Sequence, residues 1–434
     1  MRQRPAIHRQ QAIRLALLAC TTACTAAWPA LASATNGYFS EAYGLKALGM
    51  GGAGIAFPQD ALAAATNPAG MGLVGDRVDG GLQWFQPSRG ARIEGSPIPG
   101  FNGNYDGDGT DNYFIPNIGA TRTLSPNWTV GVSVYGNGGL ATEYSNNPFG
   151  ALGGSSPGGV DLTQLFLTPT AVWRPSPNQA FGIALNLAYQ TFSAYGLDPF
   201  ANGRSSSSPA NVTNRGTDSA TGVGVKIGWI GSFAAVPCSL GATYQTKTNM
   251  GRFDNYEGLM ADQGDFDIPS TWGVGVACPV TPVTGLTVAM DYQRINYSDV
   301  GAVSNPSSPA FSGTPLGSAG GPGFGWQDMN VYKIGLAWAM NPQWTLRGGW
   351  NYGKQPIRAD DAFFNILAPG LVETHWTLGA TWTPASMKHL EITIGAMYAP
   401  EKTLSGPIPA ALGGGTTQIR LSETSIGLAA GWRF

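Results

Sequence analysis

Charge is scarce in this chain. Asp, Glu, Lys and Arg make up 12% of its 434 residues, roughly half the share of a soluble domain, which disfavours a soluble charged enzyme or a nucleic-acid binder. Long apolar runs are missing too. Beyond the first 34 residues no stretch of about 18 apolar positions occurs, so a bundle of transmembrane helices is excluded. Histidine is rarer still: past that leader only His375 and His389 remain, and there is no GxSxG. A nucleophile, base and orienting group cannot be assembled from these, and no enzyme is expected.

What is abundant points elsewhere. There are 62 Gly, together with 13 Trp, 15 Tyr and 18 Phe. So many aromatic side chains supply the apolar surface that a disordered chain lacks. A transmembrane β-barrel reconciles low charge, high aromatic content and the lack of apolar helices. The net charge of −2 becomes −6 once the four arginines of the leader are set aside, so no nucleic-acid partner is expected.

The first 34 residues read as a cleaved export signal. Arg2, Arg4, Arg9 and Arg14 form a basic start, Leu15 to Ala19 opens an apolar stretch, and Ala32-Ser33-Ala34 offers small residues for cleavage before Thr35. Cys20 and Cys24 leave with it. Cys238 and Cys278 remain, in a compartment that permits disulfides.

From Val74 onward, period-two alternation marks strands joined by turns of two kinds. Six short connections fall at Ser125 to Asn127, Arg174 to Asn178, Ala234 to Pro237, Thr281 to Thr284, Asn341 to Gln343 and Ala385 to Lys388. Seven long ones run over Ser88 to Asn112, Gly138 to Thr163, Ser193 to Gly216, Thr248 to Pro269, Tyr297 to Gln327, Gln355 to Glu373 and Pro400 to Thr417. Together they predict a 14-stranded antiparallel outer-membrane β-barrel over 74–434 with both ends on the short-turn side. In the strand from Trp344, Trp344, Leu346, Trp350 and Tyr352 share one parity and Thr345, Arg347, Gly349 and Asn351 the other, giving a lipid face and a lumen face. Trp128, Trp173, Trp338, Trp344, Trp382 and Trp432 sit beside short turns or the C-terminus and predict an aromatic girdle. The terminal Phe434 matches a barrel-assembly signal.

Cys238 opens one strand and Cys278 closes the next. Antiparallel pairing sets them nearly opposite, and parity agrees, so a disulfide or at least a contact is predicted at the short-turn rim. Two small thiols in the wall are the alternative.

Residues 35–73 differ from the rest: Gly- and Ala-rich, with Asp60 to Thr66 predicted helical and Asn67-Pro68 ending it. A small partly helical plug in the lumen fits, because a fourteen-strand barrel is too wide for wall side chains alone to close. Gly49 to Gly54 matches GxGxxG, but no strand precedes it and no acidic residue stands at the ribose position, so no cofactor is expected. Asp106 to Asp111 falls short of a calcium loop, and no metal site is assigned.

At this point the chain resembles the FadL/TodX family of outer-membrane transporters for long-chain fatty acids and other hydrophobic compounds. Carrying the resemblance are Thr35-Asn36-Gly37-Tyr38, Gly49 to Gly54 and Asn67-Pro68-Ala69-Gly70-Met71 in the plug. Gly264 to Pro269, Ile295 to Val300 and Gly323 to Asp328 add further matches. The resemblance implies uptake of a lipophilic molecule from an outer groove, its retention in the lumen, and lateral release beside a hatch formed by Asn67, Pro68 and Ala69.

Apolar residues at helical spacing predict a short amphipathic helix carrying Phe253, Tyr256, Leu259 and Met260, and the same resemblance implies a groove with Tyr195, Leu197 and Phe200 opposite it. Parity places Lys226, Asp291, Lys333, Arg347 and Glu391 inward; Lys333 and Arg347 are the candidates for a fatty-acid carboxylate, with ion pairing to Asp291 or Glu391 the alternative. Tyr38 and Phe39 would touch bound substrate, and Gly136, Gly138 and Gly139, ending the third strand, would permit a kink. Expected partners are a long-chain fatty acid or other hydrophobic small molecule, outer-membrane lipid and lipopolysaccharide, and the barrel-assembly machinery through Phe434, for a monomer in a Gram-negative outer membrane. Monoaromatic hydrocarbons are the alternative cargo. A surface adhesin or receptor is the alternative of another class, and the plug argues against it.

Overall fold

In a computed structural model, residues 36–233, 236–281 and 283–434 are described, and the expected export signal lies outside them. Sixteen strands form one antiparallel sheet. Two of them, β2 (Gly103–Asp106) and β9 (Asn249–Met250), are short additions. The other fourteen close into a barrel when β16 (Thr416–Arg433) pairs with β1 (Arg77–Glu94) from Arg77↔Arg433 to Glu94↔Thr416. Between them run β3 (Tyr113–Ser125), β4 (Trp128–Tyr144), β5 (Gly158–Ser176), β6 (Gln179–Tyr195), β7 (Asp218–Phe233), β8 (Val236–Gln245) and β10 (Thr271–Pro279). Then follow β11 (Leu286–Ile295), β12 (Met329–Ala339), β13 (Trp344–Gly353), β14 (Thr374–Trp382) and β15 (Leu390–Pro407). Among the described residues no helix is long and apolar enough to cross a membrane; strands do the crossing.

The alternation predicts which side of the wall each residue takes. All six girdle tryptophans point outward. A second outward belt, including Trp272, Tyr332, Trp376 and Tyr398, lies toward the long loops. Two aromatic belts bracketing an apolar zone are the mark of a lipid-embedded barrel. Cys238 and Cys278 are joined by a disulfide beyond the Ser239↔Ala277 pair of β8 and β10, with Cα atoms 4.3 Å apart.

The long loops are shorter than alternation suggested. β1 continues to Glu94, β15 to Pro407, and β4 and β5 reach Tyr144 and Gly158. About 10 residues suffice to cross the bilayer, so strands of 17 to 19 residues stand well above it. There Arg89, Arg92, Glu94, Lys402 and Arg420 occupy paired strand positions whose charge reads as loop.

Residues 36–73 fill the lumen, with one helical turn at Leu45–Leu48, another at Ala63–Thr66, and a 3-10 helix at Pro68–Leu73 capped by Asn67. The helix expected from Asp60 is thus confined to its last four residues. Around the plug the wall presents glycines. A Cβ would stand 2.4 Å from Ala61 O at Gly119, 2.3 Å from Ala69 N at Gly182, 2.5 Å from Ile55 O at Gly241, 2.6 Å from Met50 O at Gly335 and 2.1 Å from Gly51 N at Gly349. The plug backbone lies where wall side chains would otherwise be.

Candidate functional site

From the loop end inward, the first feature is an apolar groove. Leu197 and Phe200 after β6, and Leu259 and Met260 after β9, do come together there. Their neighbours were not foreseen: Phe149, Phe192, Phe324, Phe363, Phe364 and Leu367 are among the other lining residues. Apart from Phe192, which lies near the end of β6, those residues lie on loops whose apolar positions have no period, so only the folded chain reveals them. Tyr195 instead faces a separate polar recess and donates to Thr142 O at 3.0 Å. Phe253 and Tyr256 are fully buried and pack on Phe192, with centroids 5.6 and 4.9 Å away, so they support the groove from beneath. No amphipathic helix forms there: Asp254–Tyr256 is a single 3-10 turn, and Asp262 and Gln263 take left-handed conformations that break any continuation.

Below the groove stands an aromatic cage around the start of the plug. Tyr38 meets Phe39, Tyr297, Trp326 and Phe266 at 5.3, 5.3, 5.8 and 6.0 Å. Tyr297 Oη donates to Asn36 O and accepts from Tyr38 N, fixing the segment's entry. Trp326 is oriented by donating to Asn365 Oδ1 at 2.6 Å. Burial pushes the Tyr38 phenol well above its ordinary range, so the cage is uncharged.

This segment also rests on the wall where β4 departs from regular pairing. The register against β5 shifts between Gly136 and Gly138, leaving Asn137 as the extra residue of a bulge. β4 does not end at these glycines; it runs on to Tyr144. Ser40 N donates to Asn137 O at 2.9 Å and Gly139 N to Tyr38 O at 3.0 Å. Gly138 is required by this close approach, since a Cβ would lie 1.9 Å from Tyr38 O.

Beneath Phe39 a cavity is bordered by Glu41, Tyr43, Ile55, Lys226, Asp291 and Lys333. Lys333 Nζ donates to Glu41 O at 2.8 Å, Lys226 Nζ to Ala65 O, and Asp291 Oδ2 accepts from Gly54 N and Ile55 N. Among the described residues neither lysine forms an ion pair. Arg347 lies elsewhere, holding the plug through Gln59 Oε1 and the wall through Thr381 Oγ1, both at 2.7 Å. Glu391 is bonded by Lys46 and Arg77, each at 2.5 Å, and by Arg433.

Asn67, Pro68 and Ala69 form an anchorage. Asn67 Nδ2 donates to Ile55 O at 2.8 Å, Trp229 O at 3.1 Å and Ala242 O at 3.4 Å, the last two being paired residues of β7 and β8. Its Oδ1 accepts from Ala69 N. Pro68 and Ala69 lie against Gly182 of β6.

A closed fourteen-strand barrel with a lumenal plug, an outer apolar groove and an aromatic cage defines an outer-membrane channel for hydrophobic molecules. Residues 23–433 match the family model described as outer membrane protein transport protein (OMPP1/FadL/TodX), and the chain belongs to that family. Its members are transport channels of the Gram-negative outer membrane that carry hydrophobic compounds. Among solved structures, the Pseudomonas putida toluene transporter TodX is similar with a TM-score of 0.66 at 17% identity, over 91% of this chain and 99% of that one. A Pseudomonas aeruginosa FadL homologue gives 0.67 at 16%, over 92% and 100%. The Ralstonia pickettii toluene transporter TbuX gives 0.60 at 19%, over 91% and 99%. No curated protein matches by sequence.

Proposed function

We propose that this channel takes up long-chain fatty acids passively: the acyl chain enters by the apolar groove and the aromatic cage, and the carboxylate is received in the cavity beneath Phe39. The observation that carries this reading is the pair of lysines, Lys226 and Lys333, bordering that cavity directly below an uncharged apolar route. Each ammonium has one bond to a plug carbonyl and hydrogens left to donate. A hydrocarbon route has no use for two cations at its end. Release is proposed to be lateral, beside the β4 bulge, because plug backbone packed on wall glycines blocks the barrel axis. Export through a cleaved signal at 1–34, assembly through Phe434, contact with lipopolysaccharide and a monomeric state belong to the same proposal.

Monoaromatic hydrocarbons are a second reading, supported by the uncharged aromatic cage itself. Native mass spectrometry of the purified barrel, with oleate and toluene competing for the site, separates the two. With Lys226→Gln and Lys333→Gln combined, oleate affinity is expected to fall at least about tenfold, as for loss of a charge-assisted hydrogen bond, with toluene unaffected. Unchanged oleate binding would overturn the carboxylate assignment, and displacement by toluene alone would favour the hydrocarbon.

A further inference from the structure

Three buried ionisable side chains meet where the plug faces β14 and β16. His375 Nε2 lies 4.0 Å from Glu41 Oε2 and 3.9 Å from Glu423 Oε2, and none of the three side chains is more than 2% exposed. None of the side-chain nitrogens and oxygens of Glu41, His375 and Glu423 has a hydrogen-bond partner among the described residues. Two carboxylates buried this close together, without donors, cannot both stay ionised at ordinary pH.

The neighbouring charges are committed elsewhere. Lys333 on β12 bonds the backbone oxygen of Glu41, not its carboxylate. Lys226 on β7 is held by Ala65 O, and Asp291 on β11 by Gly54 and Ile55. Arg89 on β1 is bound to Asp108, Tyr113 and backbone carbonyls, while the Tyr43 hydroxyl turns to Asn137. Among the described residues no group of three or more His, Cys, Asp or Glu side chains is placed to hold a metal ion. A proton is the remaining way to make the cluster compatible with burial.

We propose that Glu41, His375 and Glu423 form a proton-dependent latch, in which a proton shared among them keeps residues 36–43 seated in the cage and its loss unseats them. The separations lie just outside hydrogen-bond reach. A small side-chain shift therefore lets a protonated carboxyl donate to the imidazole. Glu41 is one residue from Ser40, whose amide pairs with the β4 bulge, so expelling an ionised Glu41 strains that pairing directly.

The pH window follows from the plug's own acid. Burial raises the Glu41 carboxyl from its ordinary 4.5 to about 8. A seated acid that holds its proton more tightly than an unseated one makes seating strongest below the ordinary value. Seating weakens as pH climbs through the window and is weakest once Glu41 has ionised in place. The latch is independent of which hydrophobic molecule is carried.

The test places a nitroxide on Ser40→Cys in the barrel from residue 35 onward in detergent, where Cys238 and Cys278 are joined to each other, and follows its mobility from about pH 5.5 to 9.5. The mobile fraction is expected to rise several-fold across that range, and to stay low throughout when Glu41→Gln supplies a permanently neutral side chain. Heat-modified gel migration confirms that each variant is folded. Should Glu41→Gln fail to fold, Glu423→Gln serves: it removes the competing carboxyl and moves the midpoint about half a unit or more to lower pH. No pH response in the parent, an unchanged response in Glu41→Gln, or an unmoved midpoint in Glu423→Gln would overturn the latch.

Discussion

The two parts of the plug are held by different physics. Residues 44–73 are fixed by charge and directed hydrogen bonds: Lys46 on Glu391, the Gly54 and Ile55 amides on Asp291, and Asn67 on the carbonyls of β7 and β8. Residues 36–43 are held chiefly by ring contacts, with a short backbone pairing at the β4 bulge and the hydrogen bonds that Tyr297 and Lys333 make to their backbone. Directed polar bonds at buried sites are costly to leave unmade, whereas each ring pair adds only about 0.5–1.5 kcal/mol beyond its buried area. The first part closes the barrel. The second relies more on ring packing, which suits the movement proposed for it.

Breaking the strong part has the largest expected effect. Glu391→Ala leaves Lys46 buried without its carboxylate, while Arg77 keeps Asp79, at a cost of about 3–5 kcal/mol. Thermal melting should fall sharply and ion conductance should appear in planar bilayers as the plug loosens. Asn67→Ala removes one donor shared by three carbonyls and should cost about 1–3 kcal/mol, with smaller, intermittent conductance. If it leaves conductance at the parent level, packing against the wall holds this end of the plug unaided and the contrast narrows. Tyr38→Ala should move the global melt least, because the opening is confined to a local segment, while substrate uptake by liposomes falls markedly. A melt lowered as far as by Asn67→Ala would show that both parts are anchored alike.

Much of the wall was legible from alternation alone. The Trp344 strand faces lipid and lumen as its parity requires, and Lys226, Asp291, Lys333, Arg347 and Glu391 all point inward. Partnership is another matter, because the inward charges reach groups on a plug distant in sequence: Arg347 meets Gln59, 288 residues away. The groove was half legible. Leu197 and Phe200 came from family resemblance and Leu259 and Met260 from apolar spacing, while Phe149, Phe324 and Phe363 converge from loops with no periodic signal. The apparent amphipathic helix at Phe253 failed because apolar spacing says nothing of the backbone, which turns left-handed at Asp262. Strand ends above the membrane were missed since charge there marks residues beyond the lipid, not a break in pairing.

The glycines that line the wall beside the plug bear on how such a channel can change over time. At Gly182, Gly228 and Gly349 the wall has already given up its side chain to the plug backbone or to Asn67, and nothing smaller than glycine exists. A bulkier residue in the plug at those points has no partner mutation in the facing strand to absorb it. Substitution is therefore easier where side chains remain to be exchanged, in the groove and the cage, than at the closure beneath them.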